Sequence, residues 1–111
     1  MTAHHAAPAT RWIHLAKRLP ASLDELCGPT SGTVQLPQHL AWSGLTHFDL
    51  GDEQLLLGAY RIVLTNGMRE DLIAYLNANL LTHHWPRLRI ALGRPVRACW
   101  EQSFPQLATA V

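Results

Sequence analysis

Asp49-Leu50-Gly51-Asp52-Glu53-Gln54-Leu55-Leu56-Leu57-Gly58-Ala59-Tyr60-Arg61-Ile62-Val63-Leu64-Thr65-Asn66-Gly67 is the stretch on which the fold turns. Leu55, Leu56, Ala59, Tyr60, Val63 and Leu64 come in adjacent pairs every four residues, which winds one wide apolar stripe along an α-helix. Asp49 is the expected N-cap, and Asp52 and Glu53 fall in a first turn where the helix dipole favours anions. Asn66-Gly67 ends the helix, because glycine accepts the left-handed φ that a residue past the last turn often takes. A helix with so broad an apolar face needs other elements to cover it.

Toward the C-terminus, a second helix is expected from about Arg69 to Asn77, with Glu70 and Asp71 at its start and Leu72, Ile73 and Leu76 facing inward. Asn79 is the expected cap of a third short helix, Leu80 to Trp85, broken by Pro86. Leu88, Ile90 and Leu92 alternate with Arg89 and Ala91, which reads as a short strand or an extended link. Pro95 suits the first position of a last helix. Its Val96, Cys99, Trp100 and Phe104 share one face, and Pro105 ends it.

Toward the N-terminus the texture changes. Gly32, Pro37 and Gly44 punctuate runs such as Thr33-Val34-Gln35-Leu36 and Leu40-Ala41-Trp42, which suggests two short strands. Ser22-Leu23-Asp24-Glu25 fits a capping box for one helical turn closed by Gly28-Pro29. Arg11 to Arg18 reads as a short helix ended by Pro20. The expectation is a single, mainly α domain of about five short helices with a small β-hairpin near residues 33–48. Residues 1–10 form a disordered tail, residues 11–107 the helical domain and residues 108–111 a frayed C-terminus.

Composition narrows the function. The chain has 111 residues, enough for one core. Its 15% charged content is well below the roughly 25% of an average soluble domain, which suggests surface meant to be covered. Nine basic against eight acidic residues give a formal net charge of +1, so no global field draws in nucleic acid. Nothing approaches the ~20 apolar residues of a membrane span, and the first residues lack the layout of a secretory signal. Cys27 and Cys99 are too few for a disulfide scaffold, so a reducing cytoplasm with free thiols is expected. Along the chain the charge is uneven. Residues 24–60 hold five acids and no base, and residues 61–111 hold six arginines against Glu70, Asp71 and Glu101.

Neither a metal site nor catalysis is expected. His83 and His84 are adjacent and point about 100° apart on a helix, so they do not share an ion as i, i+4 ligands do. Ser43, His47 and Asp49 crowd one loop without a nucleophile elbow, and Gly28-Pro29-Thr30-Ser31-Gly32-Thr33 lacks the lysine of a phosphate loop. No cofactor is implied. Two surfaces remain. Four tryptophans are many for one small core, and tryptophan dominates binding hot spots. Trp42, Phe48, Asp49, Asp52, Glu53, Trp85, Trp100 and Phe104 are therefore the candidate partner-binding residues. Arg87, Arg89, Arg94 and Arg97, close to Trp85 and Trp100, are the candidate nucleic-acid contacts.

Certain motifs permit a comparison. Leu23-Asp24-Glu25-Leu26, Gly28-Pro29-Thr30-Ser31-Gly32-Thr33-Val34 and Leu36-Pro37 lead into Ala41-Trp42-Ser43-Gly44 and Phe48-Asp49-Leu50. Tyr75-Leu76-Asn77, Trp85-Pro86, Val96-Arg97, Trp100-Glu101 and Phe104-Pro105 follow. This order, over about residues 20–107, resembles a family of small actinobacterial proteins encoded beside nucleotidyltransferase-type toxins. The resemblance implies an antitoxin whose partner is a cognate protein toxin, with no catalytic residue carried over. It departs from the usual antitoxin in being neutral and in having no long neutralising tail. A DNA-binding regulator of its own operon is the alternative, with promoter DNA and a second copy of the chain as further partners.

Overall fold

Asp52, not Asp49, starts the central helix. Its Oδ1 accepts from the amides of Gln54 (2.9 Å) and Leu55 (3.2 Å), which satisfies donors that a first helical turn leaves open. In the computed structural model, which describes residues 16–41 and 44–109, this helix, α1, runs Glu53–Asn66. Leu56, Ala59, Tyr60, Val63 and Leu64 are buried along it, as the paired spacing predicts. Asp49 turns the chain just ahead, its carboxylate accepting from the Gly51 amide at 2.8 Å. Gly67 follows α1 without a left-handed turn, at φ −74°. Glycine is required there for a different reason: a Cβ would stand 2.6 Å from the Val63 carbonyl oxygen.

Helix α2 is Arg69–Tyr75, α3 Ala78–Ala91, α4 Arg94–Ser103 and α5 Pro105–Thr109. The largest departure from expectation is α3. It is capped by Asn77, whose Oδ1 accepts from the amides of Asn79 and Leu80, and it runs straight through Pro86. An interior proline removes one helical hydrogen bond and costs about 3 kcal/mol. Continuing the helix, however, brings Leu88 and Leu92 into the core in line with Leu81 and Trp85, each leucine contributing about 1.5–3 kcal/mol. Burial outweighs the lost bond. The alternation of Leu88, Ile90 and Leu92 was a false strand signal, since Ile90 points to solvent. At the other end, Pro105 ends α4 and also begins α5. Ala108 and Thr109, expected in a frayed end, complete that helix, and its Leu107 is fully buried.

The hairpin pairs β1, Thr33–Gln35, with β2, His47–Asp49, antiparallel in the register Thr33↔Asp49, Val34↔Phe48, Gln35↔His47. Val34 and Phe48 face the core and their neighbours face out. The second strand lies later than Leu40-Ala41, because Pro37 starts a turn that uses those amides. Ser22 Oγ accepts from the Asp24 amide at 3.2 Å, and the Glu25 amide donates to the Ser22 carbonyl. The result is a 3-10 turn, Leu23–Glu25, in place of the reciprocal capping box. The expected first helix falls largely outside the described residues, of which 16–18 are helical. One apolar cluster from Leu19 to Leu107 joins these pieces. The fold is mainly α with a two-stranded hairpin.

Tyr60 ties the core to the α2–α3 junction. Its buried hydroxyl accepts from the Asn77 amide at 3.0 Å, and burial pushes its pKa above the ordinary value of 10.0 while that bond pulls it back. Tyr60→Phe leaves the Asn77 amide without its partner, so a loss of about 1–3 kcal/mol is expected in urea unfolding at unchanged m value. A variant as stable as the parent would show that another group serves that amide.

Candidate functional site

The aromatic half of the expected partner surface is core. Phe48, Trp85, Trp100 and Phe104 are 4, 0, 2 and 4% exposed, so they present nothing to a partner. This corrects the expectation drawn from residue type. Trp42 lies outside the described residues. Trp85 is placed by α3 at the centre of the Leu81, Trp85, Leu88 row, and Trp100 stacks at 5.3 Å on Phe104, tilted by 45°. Large rings dominate burial energetics wherever they lie, and here they close the core.

Their polar edges organise a network between α3 and α4. The Trp85 indole Nε1 donates to Glu101 Oε2 at 2.8 Å, and Arg89 Nε donates to the same oxygen at 2.7 Å. Arg97 Nη1 reaches the Arg89 carbonyl at 3.4 Å. The Arg89 bond holds the Glu101 carboxyl below the usual glutamate range; burial opposes this, and the Trp85 bond and the nearby charges of Arg89 and Arg97 add to it. Sequence reasoning missed Glu101. The available signal was that it is the lone acid after Asp71, in a segment rich in arginine.

Asp49, Asp52 and Glu53 are all exposed, at the corner where β2 passes into α1. Glu53 reaches across to α3, pairing with Arg87 and lying 3.4 Å from His84 Nδ1. Burial, then the neighbouring His83, lowers the His84 pKa from 6.5, and Glu53 counteracts them. Of the four arginines, Arg87 is thus held by Glu53 and Arg89 by Glu101; Arg94 is exposed at the start of α4 and Arg97 is half-buried.

Other chemistry-bearing groups among the described residues have partners within the fold. His39 Nε2 lies 3.1 and 3.0 Å from the two Asp71 oxygens, and Asp71 also accepts from the Met68 amide at 2.9 Å. His47 Nδ1 is 3.0 Å from Thr46 Oγ1, and Ser43 is not among the described residues. The exposed Cys27 thiol donates to the Ile73 carbonyl. Burial raises the Cys99 thiol pKa, and the two cysteines are free. Among the described residues no three His, Cys, Asp or Glu side chains group to hold a metal ion, and no helix is long and apolar enough to cross a membrane. No family model matches the chain, and neither a curated protein nor a solved structure matches it.

Proposed function

We propose that this chain is an antitoxin-like interaction protein that covers and silences a toxin by protein–protein contact in the cytoplasm. The motif resemblance makes that toxin a nucleotidyltransferase. The observation that carries the reading is the exposed carboxylate corner of Asp49, Asp52 and Glu53. A cluster of carboxylates laid over a cationic nucleotide cleft opposes its natural ligand and steers the encounter. The indoles of Trp85 and Trp100 play no part in that contact, because the core holds them.

Co-expression with the protein encoded beside it tests this. The expected result is co-elution in size-exclusion chromatography with rescue of growth, through about 1,200–2,000 Å² of buried surface. Asp49→Lys is expected to slow association and to weaken its response to salt. Separate elution without rescue overturns the proposal. Promoter DNA is a second reading, favoured by the exposed Arg87 and Arg94. It carries less, because carboxylates hold two of the four arginines and the chain's net charge is only +1.

A further inference from the structure

Glu53 sits on a seam between two kinds of surface. Its contacts with His84 and Arg87 clamp the start of α1 to the middle of α3. On one side of the seam are the exposed carboxylates of Asp49 and Asp52. On the other are the exposed Arg87, then Ile90 one helical turn on, then the exposed Arg94 at the start of α4. Ile90 is 76% exposed, the most open of the large hydrophobic side chains among the described residues.

We infer that this face is a two-fold surface for a second copy of the chain, with Asp49 and Asp52 of one copy over Arg87 and Arg94 of the other. A closed dimer requires a patch complementary to itself. An acidic half directly beside a basic half meets that requirement. In such a dimer a half-turn sets the acidic half of each copy on the basic half of the other, and Ile90, one helical turn from Arg87, is covered with it. Nucleic acid fits this face less well, because the acidic half repels phosphate while the basic half attracts it. A lone exposed isoleucine is ordinary on a surface; here it lies one helical turn beyond Arg87, which the carboxylate corner holds through Glu53. The net charge of +1 leaves little long-range repulsion between copies. The inference does not rest on the toxin reading, although the acidic corner is common to both, so a toxin and a second copy compete for it.

Sedimentation of the purified full chain alone separates the two ideas. At about 0.01 M salt, where the Debye length is about 30 Å, the mass is expected to rise with concentration toward that of a dimer. At about 1 M salt, where it is about 3 Å, the dimer is expected to weaken. Ile90→Arg, at a site too exposed to disturb folding, is expected to weaken association about tenfold or more by removing an apolar contact and adding a like charge. Arg94→Glu and Asp49→Arg are each expected to weaken it, and the double variant to recover it. A monomer at every concentration in low salt overturns the inference. So does a dimer indifferent to Ile90→Arg, or a double variant no better than its two parents.

Discussion

Gly28→Ala is expected to lower stability by about 3 kcal/mol, the upper end of an overpacking cost and a large share of the 5–15 kcal/mol that holds a typical domain. Against an ordinary backbone the same change helps slightly, since alanine reduces the freedom of the unfolded chain. Contact reverses the sign. The Cys27 amide donates to the Ile73 carbonyl at 2.9 Å and the Gly28 amide to the Leu76 carbonyl at 2.8 Å, so this segment lies backbone to backbone on the end of α2. A Cβ on residue 28 would meet Tyr75 C at 2.4 Å, Tyr75 O at 2.6 Å and Leu76 N at 2.7 Å. No rotamer change relieves a clash with main chain. Lifting the segment away loosens the buried Leu23 and Leu26, each contributing about 1.5–3 kcal/mol. Gly32→Ala is the comparison: its φ is +84° with nothing within 4 Å of a Cβ, so it costs only the left-handed penalty of about 1–2 kcal/mol. Urea midpoints for the two variants decide the matter. Equal losses, or a Gly28→Ala loss under about 1 kcal/mol, would mean that residues 27–28 do not lie against Tyr75 and Leu76 as described.

Gly28 illustrates which parts of this fold were legible from residues alone. Spacing revealed α1, because five of its six expected inward positions are buried and Leu55 is partly so. The hairpin was legible from its turn formers, and α4 from its proline start. Long-range backbone contact leaves no mark in local spacing, so the Gly28-Pro29 pair read only as a stop. Helix α3 was misread because proline is a strong local signal. The energy that overrides it comes from Leu88 and Leu92, whose burial depends on helices elsewhere in the chain.

The site divides in the same way. Asp49, Asp52 and Glu53, part of the acidic block in the sequence, are exposed, as carboxylates without buried partners are. Residue type misplaced the aromatics. Tryptophan is as suited to a core as to a hot spot, and only burial distinguishes the two. The paired motifs Trp85-Pro86 and Trp100-Glu101 gain a physical reason from the structure, because the indole of the first pair binds the carboxylate of the second. That explanation concerns architecture.

Glu101→Leu is expected to cost about 2–3 kcal/mol, most of it from the Trp85 N–H left buried without an acceptor. Glu101→Gln keeps an acceptor but loses the charge, and should fall between that variant and the parent. In a Trp85→Phe background there is no indole donor to strand, so Glu101→Leu should cost less there, with a coupling of about 1 kcal/mol or more. Strictly additive losses would refute the bond between α3 and α4. Acid gives a second readout. The Glu101 carboxyl sits below its ordinary value of 4.5 in the fold, chiefly through Arg89, so its stabilisation is complete above about that pH and disappears as pH falls through the folded value. His84 acts earlier. Burial lowers its pKa from 6.5, so the unfolded chain takes up that proton first, and stability declines as pH drops through 6.5 and levels off below the folded value. Two descents are expected in a plot of unfolding free energy against pH, the upper one shallower in His84→Gln and the lower one shallower in Glu101→Leu. A lower descent unchanged by Glu101→Leu would assign the acid sensitivity to other carboxylates and remove Glu101 as the residue that locks α4 onto α3.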